Sequence, residues 1–151
     1  MKELKVSPIK HGTVIDHIRC GMALKVLKIL GLTEEPPTDT TSVILHVQGS
    51  KGCKDIVKLE NKELKKKEVN QIALISPEAT INIIRDFEVV KKYRVKLPDT
   101  LVGIVKCSNP NCITNLGEPV EPKFYVESRD PLVLKCFYCN RKLEDISSNL
   151  L

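Results

Sequence analysis

The 151-residue chain contains no tryptophan, and aromatic residues make up only 4% of it. Proteins that bind single-stranded nucleic acid stack bases on aromatic side chains, so the composition argues against that class. The chain also lacks a long apolar run, which argues against a membrane-spanning helix. No apolar stretch follows the N-terminal Met1-Lys2-Glu3-Leu4-Lys5. We therefore expect no secretory signal and a cytoplasmic protein.

Recognised catalytic motifs are absent as well. The sequence has no GxSxG, HExxH, P-loop or dinucleotide-binding pattern. Asp16 and His17 form the remaining pair that could transfer a proton, but neighbouring residues on a strand point to opposite faces. We therefore predict that the chain has no catalytic residues.

Four of the six cysteines form two close pairs. Cys107 and Cys112 enclose four residues, Cys136 and Cys139 enclose two, and 23 residues separate the pairs. Short loops of this kind direct both sulfurs of a pair to one centre, and four thiolates bind Zn²⁺ tetrahedrally with no open position. The spacing predicts one structural zinc ion. Local disulfides are the alternative, which a reducing compartment disfavours.

The other two cysteines, Cys20 and Cys53, lie far from this cluster in the sequence. Neither has a cysteine or histidine beside it at the spacing of metal ligands. We interpret both as packing or surface residues.

Charge is divided unevenly along the chain. Residues 1–97 hold 18 Lys and Arg against 12 Asp and Glu, a net +6, whereas residues 98–151 hold 6 against 7, a net −1. Zinc modules that bind nucleic acid normally carry their own basic surface, which the cysteine-rich part lacks. A zinc-ribbon nucleic-acid-binding protein is therefore retained only as the alternative function.

The hydrophobic pattern predicts an α+β fold. An N-terminal ferredoxin-like βαββαβ sandwich is expected over residues 1–97, and a small antiparallel β zinc domain over residues 101–151. The predicted helices cover residues 21–31, capped by Gly31, and 62–76. The predicted strands cover residues 4–18, 41–47, 54–60, 79–85, 87–95, 101–106, 123–127 and 132–135.

Basic residues on two predicted strands suggest an anion site. Lys54 and Lys58 share a face, with their Cα atoms ~13 Å apart at the usual strand rise, so their side chains could converge on a polyphosphate. Lys92 and Arg94 on a later strand could add charge. An ordinary solvated strand face explains the same pattern.

The sequence resembles the regulatory chain of aspartate carbamoyltransferase along nearly its whole length. The resemblance is carried by Gly12-Thr-Val-Ile-Asp-His-Ile18, by Lys54-Asp-Ile-Val-Lys-Leu-Glu-Asn61, by Pro77-Glu-Ala-Thr-Ile-Asn82 and by both cysteine pairs. It implies a non-catalytic allosteric subunit of pyrimidine biosynthesis. Regulatory dimers of such chains link catalytic trimers, and their effectors are CTP and ATP, with UTP as a further candidate. Neither nucleic acid nor a membrane is an expected partner.

The resemblance also implies roles for individual residues. The expected nucleotide-binding residues are Val6, Ile9, Asp16, His17, Lys54, Lys58, Ile81, Asn82, Phe87, Val89 and Lys92. Cys107, Cys112, Cys136 and Cys139 are expected to bind one zinc ion. The first cysteine loop, including Asn109 and Asn111, is expected to contact the catalytic chain. Ser7-Pro8 and Phe87 replace a glutamate-alanine pair and a tyrosine that are common in the family, and Pro8 has no N–H with which to contact a base.

Overall fold

The computed structural model describes residues 8–50 and 52–151. The chain divides into two compact units, the first ending at Val95 and the second running from Lys96 to Leu151. In the first unit the elements are β1 (Gly12–Arg19), α1 (Ala23–Ile29), β2 (Thr41–Gly49), β3 (Gly52–Glu60), α2 (Lys66–Ile75), β4 (Thr80–Arg85) and β5 (Glu88–Arg94). The second unit contains β6 (Thr100–Val102), β7 (Lys123–Arg129) and β8 (Leu132–Cys136), with short 3-10 helices at Ile113–Asn115 and Ile146–Asn149.

The first unit is built on a five-stranded sheet. Its strand order is β2-β3-β1-β4-β5, and every neighbouring pair is antiparallel. Helices α1 and α2 contact each other, and α1 also contacts β3. This arrangement confirms the predicted α+β fold, with β5 added to the ferredoxin-like order at one edge.

Side-chain alternation gives this sheet a buried face and an open face. Ile15 on β1, Val57 on β3 and Ile81 on β4 are at most 1% exposed, and they lie in register with one another. They form a core with helix residues such as Val26 and Ile72, both fully buried. Because successive strand residues point to opposite faces, Val14, Lys58 and Asn82 lie on the other face.

The helix ends follow local chemistry. Gly31 has φ +73°, and the N–H groups of Gly31 and Leu32 donate to the carbonyls of Lys28 and Leu27, which confirms the predicted glycine cap. The start predicted for α2 was wrong by four residues, because the helix begins at Lys66 and not at residue 62. The Glu68 carboxylate accepts a hydrogen bond from the Lys65 N–H at 2.9 Å, and this bond marks the first turn.

Strand β1 differs from its prediction at its beginning and near its end. It starts at Gly12, because the carbonyls of Lys10 and His11 already accept hydrogen bonds from Phe87 and Asn61 outside the strand. Residues 4–7 of the predicted strand lie outside the described residues. Near the other end, pairing with β3 shifts register between Ile15 and Ile18, where His17 adopts φ +56°. This bulge interrupts the alternation of side chains.

The second unit has a three-stranded antiparallel sheet of order β6-β7-β8. Phe124 on β7, Leu134 on β8 and Val105 after β6 are fully buried in the core of this unit. Arg129 donates to the Leu97 carbonyl at 2.9 Å and to the Asp99 carboxylate at 2.5 Å, which holds the first residues of the unit against β7. Within the described ranges, no helix is long and apolar enough to cross a membrane.

Candidate functional site

The four predicted zinc ligands converge in the second unit. Cys107, Cys112 and Cys136 are at most 3% exposed. The sulfur atoms of Cys107 and Cys139 lie 3.7 Å apart, as do those of Cys112 and Cys136. Four sulfurs placed ~2.3 Å from a tetrahedral metal ion are ~3.8 Å from one another, so the cluster already has the dimensions of a zinc site.

The thiols of this cluster differ in their acidity. Burial, reinforced by the Cys139 and Cys136 thiols, raises the pKa of Cys107 to about 12, although the Asn109 N–H favours its thiolate. Burial also disfavours the Cys139 thiolate, but hydrogen bonds from Arg141 and Asn109 outweigh it and lower the pKa of Cys139 to about 7. Zinc binding must therefore release protons, and the affinity for zinc falls as the pH is lowered.

The first cysteine loop is fixed by a residue that sequence reasoning missed. The Asn115 side-chain amide donates to the carbonyls of Cys107 at 2.9 Å and Asn109 at 2.7 Å. Asn109 in turn accepts a hydrogen bond from the Asn111 N–H at 3.1 Å. Asn111 is exposed, so it is accessible to a partner. An asparagine three residues after the second cysteine was the available signal, but only the folded loop shows its two acceptors.

Apolar side chains are exposed around both cysteine loops. Ile113 and Leu116 follow the first loop with exposed fractions of 43% and 59%, and Phe137 and Tyr138 lie within the second with 53% and 42%. The Lys123 ammonium lies 4.3 Å from the centre of the Phe137 ring. Clustered exposed apolar groups of this kind are typical of protein–protein contact surfaces.

The open face of the first unit brings together several predicted nucleotide-binding residues. Lys58 on β3 lies opposite Val14 on β1, Val14 opposite Asn82 on β4, and Asn82 opposite Lys92 on β5. These residues form one row across four strands, and Lys58 and Lys92 are its ends. We call them the lysine row. Val89 shares this face with Lys92, because an extra residue in β5 shifts the register between Ile83 and Ile84.

A polar group lies beside the lysine row. The Asp16 carboxylate is 2.9 Å from the Lys54 ammonium, and both side chains are about one-quarter exposed, at 26% and 24%. Burial raises the pKa of Asp16, but the hydrogen bonds and charge of Lys54 and His17 outweigh it, so this pKa lies below its usual value. The His17 ring donates to or accepts from the Thr80 hydroxyl at 3.1 Å, and Thr80 pairs with Asp16 across the strands. Thr80 was missed because only strand register reveals it.

The expectation that Asp16 and His17 point apart was wrong. His17 Nδ1 lies 3.9 Å from the Asp16 carboxylate, and the His17 N–H donates to the same carboxylate at 2.6 Å. The bulge with φ +56° at His17 turns its side chain toward Asp16.

The remaining predicted nucleotide-binding residues are differently placed. Ile81 is 1% exposed on the buried face, so its side chain is not available to a ligand on the open face, and Ile9 is 6% exposed. Phe87 is 61% exposed at the β4–β5 turn, where Asp86 and Phe87 both have positive φ. The Phe87 N–H donates to the Lys10 carbonyl at 3.0 Å, beside Ile9. Val6 lies outside the described residues.

Cys20 and Cys53 were interpreted as packing or surface residues, and Cys53 is exposed while Cys20 is half-buried, but the two are not isolated from each other. The structure joins them as a disulfide, although they lie 33 residues apart in the sequence. His46 Nδ1 lies 3.2 Å from the Cys20 sulfur. Both cysteines line a cavity of about 460 Å³ that also contacts His17 and Lys54.

Comparison with known families assigns both parts of the chain. Residues 4–96 match the aspartate carbamoyltransferase regulatory chain, allosteric domain, and residues 99–147 match the metal binding domain of the same chain. The chain belongs to the aspartate carbamoyltransferase regulatory chain family.

Individual relatives agree over at least 95% of their length. The aspartate carbamoyltransferase regulatory chain of Methanothrix thermoacetophila is 56% identical, over 99% of this chain and 98% of the relative. That of Thermococcus sibiricus is 56% identical over 100% of both chains, and that of Pyrococcus furiosus is 54% identical over 96% and 95%.

Family membership decides several predictions. The chain is a regulatory and not a catalytic subunit of aspartate carbamoyltransferase, and it therefore has a catalytic-chain partner. Its metal-binding domain contains four cysteines suited to one zinc ion, which confirms that prediction. The nucleic-acid-binding alternative is not supported.

Proposed function

We propose that this regulatory chain binds the nucleoside triphosphates CTP and ATP, with UTP as a further candidate, on the open face of its first unit. The observation that carries the proposal is the lysine row. Lys58 and Lys92 are three strand spacings apart, which is ~14 Å between backbones, and lysine side chains can bring both ammonium groups to one polyphosphate.

Neighbouring groups supply the other contacts that a nucleotide needs. Asn82 lies between the two lysines in register, and its amide, which donates to the Val14 carbonyl at 3.2 Å, can also face a ribose hydroxyl. Asp16, His17 and Lys54 lie at the end of the face toward Thr80 and Arg94. Phe87 and Val89 are 61% and 56% exposed, and they offer apolar surface beside the main chain of Ile9 for a base.

The second unit is proposed to transmit the signal. In this division, residues 1–97 bind the nucleotide, and residues 101–151 hold zinc and contact the catalytic chain. Asn109, Asn111 and the exposed apolar residues of the two cysteine loops form the proposed contact surface. A nucleotide can control the enzyme only if its affinity differs between two states of the complex, because coupling between two sites is reciprocal.

Self-association as a regulatory dimer is part of the same proposal. Both edges of the five-stranded sheet carry exposed apolar residues, Leu45 on β2 at 55% and Val90 on β5 at 56%. Edge strands present unpaired backbone groups that a second copy can cover. We also propose a cytoplasmic location, and the proposed role is the only basis for it.

The lysine row gives the decisive experiment. CTP and ATP are titrated into the chain alone and into its complex with the catalytic chain, and binding is followed by calorimetry. Lys58→Ala and Lys92→Ala should each weaken binding at least about tenfold, since each removes a charge-assisted contact of about 1.5–3 kcal/mol.

Lys91→Ala is the matched control. Lys91 is also on β5, but it pairs with Ile83 and so faces away from the lysine row. This variant removes the same charge and should leave nucleotide affinity nearly unchanged. Equal losses in all three variants would indicate only a general charge effect. If short nucleic acids bind with a steep salt dependence and neither nucleotide binds, the proposal is wrong.

A further inference from the structure

The first unit contains a second cluster of metal-ligating side chains. Cys20 follows β1, His46 lies in β2 and Cys53 lies near the start of β3. One ligand atom from each residue lies within 4.8 Å of the other two. Two sulfurs and one imidazole form a ligand set that suits Zn²⁺.

The buried Asp55 carboxylate connects the segments that carry this cluster. Its side chain is 1% exposed, and one carboxylate oxygen accepts hydrogen bonds from the N–H groups of Gly21 at 2.9 Å and Ala23 at 3.2 Å. The other oxygen accepts the His46 N–H at 2.9 Å. Since Asp55 lies two residues after Cys53, a single carboxylate fixes the loop after Cys20 and the backbone of His46 relative to the strand of Cys53.

His46 occupies an unusual backbone position. It has φ +59°, at a bulge where the pairing of β2 with β3 shifts register between Ile44 and Val47. This conformation is uncommon for a residue other than glycine and carries a conformational cost. A disulfide requires only the two sulfurs, so it gives no reason for an imidazole held at this position.

A neighbouring amide is placed to orient the imidazole. Gln48 Nε2 lies 3.2 Å from His46 Nε2, and turning the amide over would place its oxygen there. An amide oxygen accepts the Nε2 proton, which leaves Nδ1 free to bind a metal ion beside Cys20. Such partners of the second ring nitrogen are common around metal-bound histidines.

The distances are compatible with a zinc ion in the reduced chain. In a tetrahedral site, sulfur and nitrogen ligands are ~3.6 Å apart and two sulfurs ~3.8 Å apart. His46 Nδ1 is already 3.2 Å from the Cys20 sulfur. The two sulfurs are bonded to each other here, so they must be reduced and must separate before a metal can bind.

We propose that Cys20, His46 and Cys53 form a second zinc site when both cysteines are reduced. The two thiols lose their protons to solvent, three protein ligands bind the ion, and water completes the tetrahedron. This proposal depends on the proposed function in one respect: the site needs reduced thiols, and the cytoplasm, where the chain is proposed to act, keeps thiols reduced. Bound zinc would join the end of β1 to the β2–β3 hairpin that carries Lys54.

The test is a zinc count on the full chain. The protein is reduced with excess phosphine, freed of metal by chelation and reloaded with Zn²⁺ alone, and bound zinc is measured by atomic emission. The wild type should bind two ions per chain, and Cys20→Ser/Cys53→Ser should bind one. With Co²⁺ as the probe, the thiolate-to-metal absorption of the second site should likewise disappear in this variant.

His46→Ala provides a variant that keeps both cysteines. It should weaken binding of the second zinc ion by more than the roughly 10- to 100-fold loss expected when a residue that only orients a ligand is removed, as in Gln48→Ala. His11→Ala, which removes an exposed histidine elsewhere, should still bind two ions. If reduced wild type binds one ion, or if His46→Ala retains the second ion unchanged, the pair is only a disulfide and the proposal fails. Neither result would bear on nucleotide binding by the lysine row.

Discussion

Single residues account for much of the polar chemistry on the open face. Asp16 is the best-defined example, because its carboxylate is held by Lys54 at 2.9 Å and by the His17 N–H at 2.6 Å. The aspartate and histidine were recognisable in the sequence as part of a motif. Their approach to each other was not, because it depends on a bulge, and a bulge is set by the pairing of β1 with β3.

Asp16→Asn tests the contribution of this carboxylate to folding. Because the pKa of Asp16 is lowered in the folded chain, its stabilisation is present above the unfolded value of about 3.8 and is lost as the pH falls through the folded value. We expect the wild type to exceed the variant in unfolding free energy by roughly 1 kcal/mol at pH 7, and this difference to shrink as the pH falls below the unfolded value of about 3.8. Urea unfolding of both proteins across this range measures it.

Asp86→Asn is the control for this experiment. The Asp86 side chain is 85% exposed and lies 3.9 Å from the half-exposed His11 ring. A solvent-exposed contact of this kind contributes little, so the unfolding free energy of this variant should stay close to that of the wild type across this range. Other acid-sensitive groups, including the cysteine cluster, are shared by all three proteins and cancel in the differences. A pH-independent difference between Asp16→Asn and the wild type would contradict the assigned role of the carboxylate.

At the scale of elements, helix and strand identity followed from periodicity, while their ends depended on particular contacts. Gly31 was predictable as a helix cap because an isolated glycine after an apolar stripe has few other uses. The four-residue error at the start of α2 arose because residues 62–65 continue the helical pattern, with Leu64 in line with the apolar stripe and charged residues around it. Only the hydrogen bond from Lys65 N–H to Glu68 shows where the first turn begins.

The junction of β1 with β3 depends on Gly12. This residue has φ +148°, and a Cβ placed on it would lie 2.0 Å from the Leu59 carbonyl oxygen. Gly12→Ala must therefore push β1 away from β3 as well as strain its own backbone. We expect a loss of at least about 2 kcal/mol of unfolding free energy, measured by chemical denaturation.

Gly31→Ala separates these two causes. Gly31 also has a positive φ, +73°, but a Cβ there meets nothing within 4 Å. Its substitution should cost only about 1 kcal/mol, from backbone strain alone. Similar losses at both glycines would show that close contact with Leu59 is not what requires Gly12.

At the scale of the whole molecule, the chain places its two kinds of chemistry in separate compact units. The second unit has a core around Phe124 and Leu134, but it spans only residues 96–151. A core in a unit of this size supplies only marginal stability, which a structural metal ion can supplement. The first unit has its own core and contributes none of the four ligands of the cysteine cluster.

Zinc removal should therefore affect the two units differently. With excess chelator, applied to the Cys20→Ser/Cys53→Ser variant so that only the four-cysteine site loses zinc, we expect protease cleavage sites to appear within residues 101–151. The CTP affinity of this variant should stay within about twofold of its value without chelator. Calorimetry and limited proteolysis with mass analysis measure the two effects. Addition of zinc beyond the chelator should reverse the cleavage. Loss of CTP binding together with zinc would argue against the proposed division of roles.

The sequence by itself determined the zinc ligands, the fold class and the family, because these depend on local spacing, on periodicity and on motifs that survive as strings of residues. Only the tertiary structure decided which residues lie together across strands. In the folded chain Lys58, Val14, Asn82 and Lys92 form the lysine row, Thr80 contacts His17, and the Ile81 side chain lies on the buried face. Cys20, His46 and Cys53 lie close together beside Asp55. Strand register and bulges produce these neighbours, and both arise from pairing between segments that are distant in the chain.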